Sequence, residues 1–201
     1  MVSRYDCLKL LASWLDEHTI TVTSRGPNAR EWAFLRQNGA NFHSLNLGMC
    51  LSFALGLTFA YPKRKIIALD SDGSLLLDTS SLVTVASVNP VNLLAIVFDN
   101  QSYASMGPTA TAGTADLEII AKGAGIQTTG TIHSEDEFRL SVKKSLESEG
   151  LSFFVVKAEP GKAQVDVDSR RLHGRAMKET FVESLLRHPD YPKKLPPRGS
   201  I

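Results

Sequence analysis

Apolar residues Leu8, Leu11, Ala12 and Leu15 recur at i, i+3, i+4 and i+7, which predicts a helix over residues 4–17. The β-branched run Thr19–Thr23 predicts a strand, closed by Gly26-Pro27. Asn28 is placed to cap a short helix reaching Arg36, and residues 39–46 read as a loop. A helix is expected over 48–60, a strand over Lys65–Asp70, and a further helix ending at Val88 before Asn89-Pro90. Asn92–Phe98 reads as the next strand, and the Ser-, Thr-, Gly- and Ala-rich residues 99–115 as a loop. Beyond it the pattern gives a helix near 116–123, a short strand at 126–129, a helix at 134–149 and a strand at 151–157. Residues 168–187 read as one last helix.

Strands that alternate with helices imply βαβ units, hence a doubly wound parallel α/β sheet with helices on both faces. The strands Ile66–Leu69 and Leu93–Phe98 fit, being apolar throughout rather than at every second position. No internal repeat is visible. The expected organisation is one domain over residues 1–187 and a tail over 188–201 with four prolines.

Composition narrows the class. Of 201 residues, 43% are apolar and 21% charged, and the formal charge is +1. That balance argues against a dedicated nucleic-acid or anionic-membrane binder, which carries a basic excess. The two cysteines, Cys7 and Cys50, sit in apolar helical patterns without metal-ligand spacing, as buried reduced thiols do. The most apolar stretch, Leu47–Tyr61, has 15 residues, short of the ~20 that cross a membrane. With no apolar leader pattern at Met1–Asp6, the expectation is a cytoplasmic protein.

Ligands of open α/β sheets sit beyond the carboxyl ends of the strands. Two such ends are unusually polar here: Asp70-Ser71-Asp72-Gly73-Ser74 and Asp99-Asn100-Gln101-Ser102-Tyr103. If their strands are neighbours, Asp72 and Asn100 meet at one edge. A carboxylate, an amide oxygen and a backbone carbonyl suit Mg²⁺, which keeps few protein ligands and completes its shell with phosphate oxygens and water. Gly73 and Ser74 offer backbone N–H groups and a hydroxyl to such phosphates.

Three patterns compete for Asp70–Gly73. A calcium loop with Gly73 sixth would put Ala68 first and Thr79 twelfth, and neither is the required acid. A haloacid-dehalogenase-type phosphatase would make Asp70 the nucleophile and Asp72 the general acid. It also needs a hydroxyl residue at a following strand end and a later acidic pair, which this sequence does not supply. The third pattern fits. Ser71-Asp72-Gly73-Ser74, with Asn100 28 positions after Asp72, resembles the motif of thiamine-diphosphate-dependent enzymes. Leu45–Leu57 followed by Tyr61-Pro62-Lys63-Arg64-Lys65 is similar to the helix preceding that motif. More narrowly, residues 4–187 resemble the diphosphate-binding half of phosphonopyruvate and sulfopyruvate decarboxylases, including Gly26 with Arg30-Glu31 and the Asp116–Gly125 segment.

That resemblance implies thiamine diphosphate and Mg²⁺ as cofactors. It assigns the metal to Asp72, Asn100 and the carbonyl of Ser102, and the diphosphate to Ser71, Gly73 and Ser74, with Tyr103 beside them. Leu45, Asn46 and Leu47 match the segment under the aminopyrimidine, Leu47 as the bulky wedge that bends the cofactor. It implies loss of CO₂ from a 2-oxo acid, with an acetolactate-synthase-like carboligase or a non-catalytic cofactor-binding scaffold as the other readings. The sequence departs from the pattern at Ser71, which replaces a glycine, and at Asp99, where many relatives have Asn. The glutamate that activates the cofactor belongs, in the resemblance, to a pyrimidine-binding domain for which this chain has no room. Glu17 and Glu31 lie in helices of the wrong domain. The implied partner is therefore a second subunit in a hetero-oligomer, and the substrate a small anionic 2-oxo acid. His43, before the cofactor segment, and Arg25, after the first strand, are the candidate catalytic residues of this chain, with Arg30 a further candidate for an anionic substrate tail.

Overall fold

Ser3 starts the first helix, α1 (Arg4–Trp14), by accepting the Asp6 N–H on its hydroxyl at 3.2 Å. From there strands and helices alternate in this computed structural model, which describes residues 1–37, 39–103 and 106–189. β1 (Ile20–Ser24) leads to α2 (Pro27–Leu35), β2 (Asn41–Leu45) and α3 (Cys50–Ala60). β3 (Ile66–Ser71) runs into the one-turn α4 (Asp72–Leu75), followed by α5 (Ser80–Val88) and β4 (Leu93–Asp99). Then come α6 (Leu117–Gly123), β5 (Thr128–Ile132), α7 (Glu135–Glu147), β6 (Ser152–Lys157) and α8 (Gly174–Leu186).

The six strands form one sheet in the order β2-β1-β3-β4-β6-β5, every pair parallel. Successive residues of each central strand feed opposite faces. Ile66, Ala68, Leu93, Ala95 and Val97 pack under α3, α5, α6 and α8. Ile67, Leu69, Leu94, Ile96 and Phe98 pack under α1, α2 and α7. Both faces are covered, so β3 and β4 are buried on each side and read as continuous apolar runs. Each such Leu, Ile or Phe stabilises the fold by about 1.5–3 kcal/mol relative to exposure. The doubly wound α/β class is as expected.

Local corrections have physical causes. The expected loop 39–46 contains β2, an edge strand paired with β1 through Thr21↔Asn41 and Val22↔Phe42. Its buried positions are Asn41, His43 and Leu45, so the inward face is mostly polar and carries no hydrophobic alternation. Asn41 is held instead by hydrogen bonds: its Oδ1 accepts from Thr21 Oγ1 at 2.7 Å and from Arg36 Nη1 at 2.6 Å. The helix expected to end at Val88 is split into α4 and α5. The last helix is preceded by a 3₁₀ turn, Ser169–Arg171, and starts only at Gly174, whose φ of +82° is left-handed. The short strand sits two residues later than expected, at Thr128–Ile132. Asn28 does not cap α2; Gly26 holds that position and the Asn28 amide serves elsewhere. Of the tail over 188–201, residues 190–201 lie outside the described residues. Both cysteines are buried free thiols; burial pushes Cys7 up to about 12 and Cys50 well above the ordinary thiol value.

Candidate functional site

A cleft of about 650 Å³ opens where the carboxyl ends of four strands converge. Arg25 and Gly26 follow β1, Ser71 to Ser74 follow β3, Asn100, Ser102 and Tyr103 follow β4, and Pro160 to Lys162 follow β6. The chain departs from β1 towards β2 on one side and returns at β3 on the other, so the cleft lies at a topological switch point. The pairing of β3 with β4 reaches Ser71↔Phe98. Asp72 and Asn100 lie one and two residues beyond that pair, and both line the cleft.

Asp72 is 1% exposed. Its Oδ2 accepts the Thr109 hydroxyl at 2.8 Å and the Thr111 hydroxyl at 3.3 Å. The Thr111 hydroxyl also lies 2.7 Å from Oδ1 of Asp99, whose Oδ2 takes the Lys157 ammonium at 2.5 Å. Lys157 thus pairs with Asp99, and Asp72 has no ion pair among the described residues. Burial, reinforced by the neighbouring Asp99 charge, holds the Asp72 carboxyl above the usual carboxylate range. Asn100 Oδ1 accepts the Ser102 N–H at 3.1 Å and turns the loop over the strand end.

The residues present fit the cofactor pair. A buried carboxylate without a cationic partner, beside an amide oxygen, is a donor set for a hard divalent cation with few protein ligands. Among the described residues no group of three or more His, Cys, Asp or Glu competes for a metal. The floor beside Asp72 is closely packed: with the Tyr103 ring where it stands, a Cβ on Gly73 would lie 2.3 Å from it. Ser71, where the motif resemblance expects glycine, sits at φ −126° and ψ 158°, extended backbone open to any residue. Its hydroxyl accepts the Ser74 N–H at 3.4 Å.

Other assignments fall out differently. Leu47 lines the cleft and is 41% exposed, a large apolar side chain held towards solvent. Leu45 and Asn46 do not line it: the Leu45 carbonyl accepts the Arg25 N–H at 2.8 Å and the Asn46 carbonyl the Met49 N–H at 3.1 Å. The Ser74 hydroxyl is fully buried and accepts the Gly48 N–H at 3.1 Å, tying the Leu47 segment to α4. Asp70 is also buried, outside the cleft lining, and its Oδ1 accepts the Ser71 N–H at 2.9 Å. Burial raises its pKa to about 6. A carboxylate enclosed in this way is no phosphatase nucleophile. His43, a catalytic candidate from sequence, does not line the cleft: it lies in β2 and lines a separate cavity. Arg25 stays at the cleft rim, exposed, whereas Arg30 lies outside it.

Several residues of the site escaped the sequence reading. Asn28 donates its amide to the Asp70 carbonyl at 2.8 Å and anchors α2 to the end of β3. Arg4 and Glu31 form a buried bidentate pair, two bonds of 2.8 Å, and Arg4 also donates to the Gly161 carbonyl. Glu31 Oε1 accepts the Ala163 N–H at 2.9 Å, so the pair holds the 161–163 segment, and with it Lys162, at the cleft rim. The hydroxyl-rich character of 99–115 was visible, but nothing in sequence distinguished Thr109 and Thr111 as the residues that face Asp72.

Comparison with known proteins decides the family. Residues 30–156 match the model of the thiamine pyrophosphate enzyme, C-terminal TPP binding domain. The chain belongs to this family. Sulfopyruvate decarboxylase subunit beta of Methanocaldococcus jannaschii is 33% identical over 160 residues, 78% of this chain and 84% of that one. Sulfopyruvate decarboxylase of Methanosarcina acetivorans is 36% identical over 161 residues, of which this chain spans only 41% of the relative. Among solved structures, benzoylformate decarboxylase from Polynucleobacter necessarius superposes with a TM-score of 0.66 at 16% identity, over 81% of this chain and 34% of that one. That likeness establishes the thiamine-diphosphate-binding fold. Among the described residues no helix is long and apolar enough to cross a membrane.

Proposed function

We propose that this chain is the cofactor-binding subunit of a thiamine-diphosphate- and Mg²⁺-dependent 2-oxoacid decarboxylase of the sulfopyruvate type, working in the cytoplasm with a second subunit. The observation that carries the reading is the convergence of Asp72 and Asn100 from neighbouring strands onto one cleft, with Gly73 and Leu47 beside them. In that reading Asp72, Asn100 and the Ser102 carbonyl hold the metal. Ser71 and the Gly73 backbone hold the diphosphate, and Leu47 supports the cofactor from below. Thiamine diphosphate, when bound, supplies the electron sink for loss of CO₂. Its position here would be set by the metal ligands, while Arg25 and Lys162 give the rim a positive charge that suits an anionic substrate.

The division of labour follows from the carboxylates. Asp72 is the only acidic residue lining the cleft among the described residues, and metal binding commits it. Glu31 is 1% exposed and paired with Arg4. Among the described residues no further carboxyl group lines the cleft to exchange a proton with the cofactor, and in this reading that group is supplied by the partner, a pyrimidine-binding-domain subunit. The relative of similar length carries the name subunit beta, whereas in the longer relative this chain corresponds to 41% of the whole. Both names favour decarboxylation over the carboligase and scaffold readings. Two buried free thiols accord with a reducing compartment.

The test is reconstitution. Co-expressed with the pyrimidine-domain subunit of its host, the chain should release CO₂ from sulfopyruvate. Alone it should be slower by roughly the 10²–10⁴-fold that general acid–base groups contribute. Equal activity of the chain alone, or no CO₂ from the intact complex, would overturn the reading.

A further inference from the structure

A second cavity, of about 260 Å³, lies away from the cofactor cleft, between β2 and the beginning of α8. Asn41 and His43 line it from β2, Arg170 and Arg171 from the 3₁₀ turn, and Met177 and Thr180 from α8. None of its lining residues among those described is acidic. Arg170 is engaged, donating to both carboxylate oxygens of Asp168. Arg171 makes no ion pair among the described residues. Behind the wall stands a third guanidinium, Arg36, 7% exposed and bonded, among the described residues, to neutral acceptors: Asn41 Oδ1, the Asp16 carbonyl and the Thr19 carbonyl.

His43 is 4% exposed, and its Nδ1 is buried without a hydrogen-bond partner. A buried polar atom left unbonded costs about 1–3 kcal/mol, and such atoms in folded proteins mark a bound water, an ion or a functional group. The electrostatics select among these. Burial first, then the charges of Arg171 and Arg36, push the His43 ring down to about 4. The ring is therefore a neutral imidazole in a positive field, and a neutral imidazole donates through one nitrogen.

We propose that this cavity binds a small oxyanion, a phosphate or carboxylate group, between the Arg171 guanidinium and the His43 ring. Its volume is below the roughly 300–1,000 Å³ of pockets for drug-sized ligands, which fits a compact ion rather than a nucleotide. Charge-assisted hydrogen bonds from a guanidinium are the strong ones in such recognition. The site is independent of the cofactor: no residue lining it lines the cleft.

Histidine ring NMR on the full chain tests this directly, with the His43 signal assigned as the one lost in His43→Gln. Titration with inorganic phosphate, and separately with succinate, should give a saturable shift of that signal with at least one of the two. Which of them saturates it tells phosphate from carboxylate ligands. Arg171→Gln, a partly exposed change outside the core, should weaken the response roughly tenfold or more, the loss expected for a hydrogen bond to a charged group. The site is refuted by no saturable shift with either ion. It is equally refuted by the same shift from chloride at matched ionic strength, or by an unchanged response in Arg171→Gln.

Discussion

Thr109 donates its hydroxyl to Oδ2 of Asp72 at 2.8 Å, from 37 positions further along the chain. Thr111 extends the contact to Asp99, which Lys157 anchors from β6. One carboxylate oxygen of the proposed metal ligand is thereby held by the protein before any ion arrives. Thr109→Val keeps the shape and removes the donor, leaving a buried carboxylate oxygen short of a partner. The expected cost is about 1–3 kcal/mol of stability, read by urea unfolding. Thr111→Val added to it should cost less than its own separate effect, because the two hydroxyls share one network. Full additivity would contradict the network.

The Arg4–Glu31 pair is 6% and 1% exposed. Glu31→Gln should destabilise the protein by about 3–5 kcal/mol, since it strands a buried guanidinium. Replacing both partners, as Arg4→Met with Glu31→Leu, should recover most of that loss. Recovery of stability without recovery of a protease-resistant 159–163 segment is expected, because both members of the pair also hold its backbone.

How much of this was legible follows from where each signal lives. The strands flanking Asp72 and Asn100 are continuous apolar runs, and a βαβ order makes their ends neighbours, so the centre of the site was readable before any coordinates. β2 was not, because Asn41 and His43 occupy its buried positions and its pairing is fixed by Arg36 and Thr21 rather than by apolar alternation. Contacts such as Thr109 to Asp72 and Arg4 to Glu31 are invisible for a different reason. They join residues 37 and 27 positions apart, and no local periodicity reports such a meeting. Leu45 shows the limit of a motif: the segment is recognisable in sequence, but the hydrogen bond from the Arg25 N–H to the Leu45 carbonyl appears only in the structure.

His43 sets a pH dependence. Its folded pKa is about 4 against an ordinary 6.5, lowered by burial and by Arg171 and Arg36. As pH falls from about 6.5 to about 4, the unfolded chain takes up a proton that the folded ring refuses, so stability is lost over that window and restored above it. Between pH 7 and pH 4.5 the wild type should lose roughly 2–3 kcal/mol more than His43→Gln. Unfolding curves at the two pH values check this, and equal losses would show that the ring titrates normally.

Arg25 is exposed at the cleft rim, beyond the end of β1. In the reconstituted complex, Arg25→Ala should erode the preference for sulfopyruvate over pyruvate. The change should be roughly tenfold to over a hundredfold in kcat/KM, the worth of a hydrogen bond to a charged group. Pyruvate itself should be turned over as before. Equal losses on both substrates would move Arg25 from substrate recognition to folding or cofactor binding.

The most direct test of the cofactor site is calorimetry of thiamine diphosphate binding to the complex, with and without Mg²⁺, for the wild type and Asp72→Ala. The account predicts tight, Mg²⁺-dependent binding by the wild type. It predicts severe loss in Asp72→Ala, with the circular-dichroism spectrum and subunit assembly retained. Undiminished Mg²⁺-dependent binding by Asp72→Ala would contradict it.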